Sequence, residues 1–299
     1  MGAGSGETYL DMITWRAHVP VEICAVNVNV TASQAGQKRA FMGHGEFLWC
    51  DLATFDVDEM RTFYSDILGW TYARESFADG STYFYAKTAK DVTAGIYEMP
   101  GSIRDDGMPS FWMSYIGVDD LASTIELALR HGGKLVLGPA YFGNGAEIAM
   151  IEDPFGARFT MFSGSHMQPR STVMEDGEHF WDELYTSEPK AAAAFYSAVF
   201  NWKVEPPNEH GAARVNNIAG SPTTAIHAIP GAADPTRRAF WTVGFSVTDT
   251  SEFKTRLERA GGKPSTFKNP ARPRDVFVRD PRGAGFFVSN IEPKRGWFS

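Results

Sequence analysis

Apolar positions between Asp56 and Leu68 recur at helical spacing. Met60, Phe63, Tyr64 and Ile67 form one stripe, Asp56 stands where an N-cap belongs, and Gly69 follows as a stop. This segment predicts an amphipathic helix. On either side the pattern becomes that of strands. Phe47–Thr54 precedes the helix, and Trp70–Arg74, Thr82–Lys87 and Val92–Met99 follow it, separated by polar turns such as Ala78-Asp79-Gly80. The plan then recurs. Ser110–Val118 predicts a strand, and Asp119–His131 a helix closed by Gly132-Gly133. Lys134–Leu137, Ala146–Ile151 and Ala157–Ser163 predict three further strands.

The same order returns in the second half because the chain is an internal repeat. Gly45-Glu46-Phe47-Leu48-Trp49-Cys50-Asp51-Leu52 reappears as Gly177-Glu178-His179-Phe180-Trp181-Asp182-Glu183-Leu184. The offset is 132 residues, as from Trp49 to Trp181 and from Trp70 to Trp202. It falls to 129 between Trp112 and Trp241, and to 127 between Asp153-Pro154 and Asp280-Pro281. A β-α-β-β-β unit therefore occurs four times. The expected organisation is an extension over 1–42, a first domain over 43–164, a linker over 165–174, a second domain over 175–291 and a tail over 292–299. The extension has no partner in the repeat. It reads equally as a disordered arm, as a strand added to another chain, or as a consequence of an upstream start, with Met42 the natural one.

Composition narrows the function classes. A formal net charge of −8 lacks the concentrated basic face that phosphate binding needs, so no nucleic-acid partner is expected. Cys24 and Cys50 form neither a disulfide framework nor a zinc-type spacing, and Cys50 reads as a small core residue. No leader or membrane-spanning segment is evident, since the run from Val19 to Val30 is short and carries Pro20, Glu22, Asn27 and Asn29. A cytoplasmic location follows as the expectation.

The repeated motifs are Trp49-Cys50-Asp51-Leu52, then Phe63-Tyr64-Ser65-Asp66-Ile67-Leu68-Gly69-Trp70, the strand around Trp112–Val118, and Asp153-Pro154-Phe155-Gly156-Ala157, each with its counterpart in the second half. In order and spacing they resemble the vicinal oxygen chelate superfamily of glyoxalases, bleomycin-resistance proteins and extradiol dioxygenases, in its tandem actinobacterial form annotated with hydroxylases. The resemblance implies an α+β fold of two glyoxalase-like domains. Each would be a pair of βαβββ modules whose mixed sheet curls into an open, ligand-binding cup. It also implies where metal ligands would stand. The first-strand position, fourteen residues before the helix Phe, is Trp49 in one copy and Trp181 in the other. Indole nitrogen only donates and cannot ligate. The fifth-strand positions fall at Met113 and Thr242, and the last at Thr160 and Phe287. The fourth strand offers only Glu98, Tyr97 and His227. Catalytic metal sites need about three protein ligands, so no cofactor is expected, and a divalent metal is the minor alternative.

Strand alternation puts Phe47, Trp49 and Asp51 on the inner face of one cup, and His179, Trp181 and Glu183 on that of the other. Each cup gains an aromatic wall beside an acid. Glu183, His179, His227 and Asp51 are the candidate acid–base groups. Trp49, Trp181, Tyr83, Tyr97, Trp112 and Trp241 are the candidate walls for a flat molecule. Arg214 and Arg274 are candidates to hold an anionic group, whereas Arg272, between Pro270 and Pro273, reads as a solvated loop residue. Packing alone is the competing explanation for each tryptophan and its acid. The second domain, with His227 where the first has Tyr97, is the expected chemical site. Three functions stay open. The first is a metal-independent tailoring enzyme of secondary metabolism acting on a small aromatic or polyketide-like molecule. The second is a protein that sequesters such a molecule. The third is a metal-dependent glyoxalase or dioxygenase. A monomer or a homodimer is compatible with a tandem chain.

Overall fold

The structure is a computed structural model that describes residues 43–77, 80–99, 109–141, 145–164, 175–229, 239–265, 269 and 272–290. The extension, the linker, the tail, Cys24, Ala78-Asp79 and Phe142 lie outside the described residues. In the first domain the elements run β1 (Phe47–Thr54), α1 (Val57–Leu68), β2 (Thr71–Ser76), β3 (Thr82–Lys87), β4 (Val92–Glu98), β5 (Phe111–Gly117), α2 (Leu121–Arg130), β6 (Lys134–Tyr141), β7 (Glu147–Glu152) and β8 (Arg158–Ser163). In the second they run β9 (His179–Thr186), α3 (Pro189–Phe200), β10 (Lys203–Val204), β11 (Ala212–Asn216), β12 (Pro222–Ala228), β13 (Phe240–Val247), α4 (Thr250–Arg259), β14 (Lys263–Pro264), β15 (Val276–Arg279) and β16 (Gly285–Asn290). The helix α1 begins where its sequence says it should. Asp56 accepts a hydrogen bond from the backbone N–H of Glu59, and Gly69 closes the helix in the left-handed region.

Each domain forms one eight-stranded mixed sheet. The order is β2-β3-β4-β1-β5-β8-β7-β6 in the first and β10-β11-β12-β9-β13-β16-β15-β14 in the second. β1 lies parallel to β4 and antiparallel to β5, and β9 repeats this with β12 and β13. The two central strands share one irregularity. Trp49 pairs with Tyr115, but the next pair is Phe47 with Ile116, leaving Leu48 extra. Likewise Trp181 pairs with Gly244 and His179 with Phe245, leaving Phe180 extra. Such a bulge reverses the alternation on its far side. Phe47 therefore does not share the inner face with Trp49 and Asp51. It stacks on Trp202 in the helix-side core.

A third core, around Tyr83, Tyr115 and Ile148, lies within the first domain, but two others belong to both domains at once. One joins β5, α2, β7 and β8 of the first domain to α3, β11 and β12 of the second, and the other joins α1 and β4 to α4, β15 and β16. Paired tryptophans lock the arrangement. Trp70 donates to the carbonyl of Gly177 and Trp202 to that of Gly45, each at 2.8 Å. Gly45 and Gly177 have φ of 77° and 83°, and a Cβ on them would lie 2.6 and 2.8 Å from the facing indole nitrogen, so glycine is required on both counts. Tyr64 donates to Asp280 and Tyr196 to Asp153 across the same contact. Cys50 is buried in the core, as its sequence context suggests.

Candidate functional site

Cross-strand register builds matching rows on the inner face of each cup. In the second domain Arg214, Ala225, Glu183 and Thr242 form one row. Ala212, His227, Tyr185 and Phe240 form the next, since strand partners share a face. The corresponding rows of the first domain read Tyr85, Gly95, Asp51 and Met113, then Tyr83, Tyr97, Ala53 and Phe111. The scaffold is thus repeated while its chemistry has diverged.

In the second cup Glu183 is wholly buried and holds three neighbours together. Arg272 Nε lies 2.5 Å from Oε1, His227 Nε2 lies 3.2 Å from Oε2, and the Tyr185 hydroxyl donates to Oε2 at 2.9 Å. Asn269 donates to the Tyr185 hydroxyl at 2.8 Å, and its amide nitrogen lies 3.4 Å from His227 Nδ1. An amide N–H can only donate, so it fixes Nδ1 as an acceptor and leaves the ring hydrogen on Nε2, facing Glu183. Tyr185 stacks on the imidazole with centroids 4.8 Å apart. Arg272 also stands 5.7 Å over the Trp181 ring. Burial pushes the Glu183 carboxyl up, but Arg272, His227 and Tyr185 outweigh it and hold the group at about 2. It is a fixed negative charge at neutral pH.

The first cup is closed around its acid. Asp51 accepts from Trp49 Nε1 at 2.7 Å, from Tyr115 at 2.7 Å and from Tyr83. Burial still pushes this carboxyl above its ordinary range, against those three donors. Gly95 makes the arrangement possible. A Cβ there would stand 1.7 Å from the Tyr83 hydroxyl and 2.1 Å from Asp51 Oδ1. The second domain has Ala225 at this place, and Ala212 in place of Tyr83. Gly95→Ala is therefore expected to cost about 1–3 kcal/mol by overpacking, read as a lower urea midpoint. An unchanged midpoint would mean that the Asp51–Tyr83 contact can part freely.

Several predicted residues lie elsewhere. His179 does not stand beside Glu183. The bulge at Phe180 turns it to the other face, where its ring lies 2.9 Å from Asp182 Oδ2. Asp182 also accepts from Ser114 of the first domain, and the His179 backbone N–H donates to Thr93. His179 belongs to the seam between domains. Trp112 and Trp241 do not line the cups either. Met113 and Thr242 face inward, so their neighbours point back, where Trp112 donates to Tyr64 and Trp241 to Tyr196. Arg274 is exposed, whereas Arg214 stays in the inner row, on β11 next to the edge strand, with its Nε 3.9 Å from Glu205. Arg272 is the reverse case. Its side chain is only 11% exposed and is part of the cluster. Tyr185, Asn269 and Asp275 were not singled out in the sequence. Tyr185 was within reach, two residues from Glu183 on the same strand face.

A glyoxalase/bleomycin resistance protein/dioxygenase superfamily model matches residues 46–161, and a glyoxalase-like domain model matches residues 180–289. The chain belongs to this superfamily, the vicinal oxygen chelate proteins, in a tandem two-domain form. A putative glyoxylase of Mycobacterium tuberculosis is 28% identical over 86% of this chain and 99% of its own. The anthracycline biosynthesis protein DnrV of Streptomyces peucetius is 28% identical over 83% and 94%. Among solved structures, the Mn(II)-bound glyoxalase of Novosphingobium aromaticivorans superposes with a TM-score of 0.56 at 14% identity, covering 84% of this chain and 83% of its own. A variant of 4-hydroxymandelate synthase from Streptomyces coelicolor gives 0.53 at 16% identity, covering 86% and 95%. These likenesses show the fold.

The metal that the family implies does not fit the residues present. Among the described residues no three His, Cys, Asp or Glu side chains converge. Indoles occupy the first-strand positions, and the guanidinium of Arg272 already lies against Glu183. Among the described residues, too, no helix is long and apolar enough to cross a membrane.

Proposed function

We propose that the second cup performs metal-independent proton transfer on a small, flat, enolisable aromatic or polyketide-like molecule. The observation that carries this reading is the buried Glu183 carboxylate gripping His227, Tyr185 and Arg272. His227 Nδ1 is the base once substrate displaces the long 3.4 Å contact from Asn269, whose amide keeps its 2.8 Å bond to Tyr185. Glu183 keeps the imidazole in the required tautomer and offsets the charge of the imidazolium as it forms. Trp181 supplies a stacking surface, and Arg272 above it places a cation beside the oxygen of an enolate. The relatives named for anthracycline biosynthesis support an aromatic substrate. The first cup favours a second reading, sequestration. Its acid is committed to Tyr83, Tyr115 and Trp49, so its aromatic walls offer binding without chemistry.

The test uses a tricyclic anthrone, an enolisable aromatic ketone, in deuterated buffer. The protein should speed deuterium uptake at the acidic carbon, and His227→Gln should reduce that rate about 100-fold while anthrone still binds. Exhaustive chelation should change nothing. Uptake no faster than in buffer, or unaffected by His227→Gln, rejects the enzyme. Binding without exchange that Trp49→Ala abolishes establishes sequestration instead. One equivalent of iron or manganese per chain, with activity lost on chelation, overturns metal independence.

A further inference from the structure

The second cup holds another carboxyl that this reading leaves unused. We infer that Asp275 is the acid of the site, the group that gives a proton to the substrate carbonyl oxygen while His227 takes one from carbon. The inference rests on the second cup being the reacting one. Phe277 pairs with Phe287, whose ring covers Gly244 on the inner face, and Asp275, two residues before Phe277, shares that face. Its backbone N–H donates to the carbonyl of Arg272 at 3.2 Å, so one turn carries both the carboxyl and the guanidinium. Ser289 hydrogen-bonds to the carboxyl. Oδ2 is buried with no hydrogen-bonding partner among the described residues. A carboxylate oxygen left so is costly, whereas a carboxylic acid there presents a hydroxyl ready for an acceptor.

The charged groups facing Asp275 are Arg272 of its own turn and Glu183 of β9, and Ser289 of β16 adds an uncharged donor. Burial pushes its carboxyl up, Arg272 opposes, Glu183 adds to the rise and Ser289 opposes, with a net value of about 7. Glu183, facing the same guanidinium, stays at about 2. Two carboxyls around one cation are thereby driven into opposite protonation states, the arrangement that separates an acid from a base. The step balances. The C–H bond next to the carbonyl breaks, and its proton goes to Nδ1 of His227. Its electron pair forms the carbon–carbon double bond, and the carbonyl π pair moves onto oxygen, which takes the Asp275 proton. Return of the two protons, with carbon protonated at a different position, gives an isomer and restores both groups.

The experiment is pH-difference infrared spectroscopy of the carboxylic C=O stretch on the full chain, paired with the anthrone assay. A protonated-acid band should vanish through about pH 7 in the parent, be missing in Asp275→Asn, move to lower pH in Glu183→Gln and to higher pH in Ser289→Ala. Deuterium uptake should fall through the same pH range in the parent, and should be slower by about 100-fold and lose that pH step in Asp275→Asn. Asp153 and Asp280, each pushed up to about 6 by burial, give bands of their own. The assignment is therefore overturned if subtracting the Asp275→Asn spectrum from the parent leaves no band, or if the band so isolated ignores both Glu183→Gln and Ser289→Ala, even when exchange is catalysed. A band that behaves as expected in a protein that catalyses no exchange overturns the reading of the second cup, and the acid role with it.

Discussion

Arg272→Met is expected to lower stability at pH 7 by about 3–5 kcal/mol, the range for removing one partner of a buried ion pair. Glu183 is wholly buried, and the guanidinium lies 2.5 Å from it. Without Arg272 the carboxylate keeps only His227 and Tyr185. The pH dependence gives the sign. Glu183 sits at about 2 in the folded chain, below its ordinary value of 4.5. The stability it contributes is present above pH 4.5 and is lost as the pH falls through 2. That difference amounts to about 3 kcal/mol, in line with the mutational range. The gap between parent and Arg272→Met should therefore be widest at neutral pH and close as the solution becomes acid. Glu183→Gln should cost less, because Arg272 sits on a loop and can turn towards solvent once its partner is neutral. Urea denaturation at pH 7 and pH 3 checks both statements. Equal stability at pH 7 would show that no buried ion pair forms.

Much of this was legible in the residues. The repeat aligned β1 with β9 and Asp51 with Glu183, and His227 at the position of Tyr97 marked the two cups as different. The rule that failed was strict alternation. It holds from Trp181 to Tyr185 but breaks at Phe180, and nothing in the string Gly-Glu-His-Phe-Trp announces a bulge. His179 and Phe47 were lost for that one reason. Trp112 and Trp241 were a different matter, since the inward placement of Met113 and Thr242 already turned them away. Arg272, Asn269 and Asp275 come from a segment without periodicity. Flanking prolines suggested solvent, whereas contacts to Tyr185, His227 and Glu183 hold Asn269 and Arg272 over the cup. Loop residues reach a site through tertiary distance, and one-dimensional spacing does not encode it.

A polypeptide cut to residues 43–164 is expected not to fold, and residues 175–291 alone are expected to fail as well. Neither has a core of its own on the helix side. Tyr64, Trp70 and Trp112 close against Phe245 and Phe286, and Phe47 and Phe159 close against Trp202 and the α3 aromatics Tyr196 and Phe200. Losing the packing of one such aromatic costs about 3–5 kcal/mol, and a whole protein is held by only about 5–15 kcal/mol. The cut would also strand Asp280, Asp153 and Asp182 without Tyr64, Tyr196 and Ser114. Each half should show no cooperative thermal transition and no dispersed amide spectrum, and co-expression should return a one-to-one complex that unfolds as a single unit. A half that melts sharply by itself would refute the shared cores. The coupling has a consequence for the site. Asp182 follows Trp181 on the same strand and precedes Glu183, so its bonds to His179 and to Ser114 of the first domain anchor the strand that carries Glu183. Ser114→Ala, which removes that donor, should then lower the urea midpoint of the whole chain.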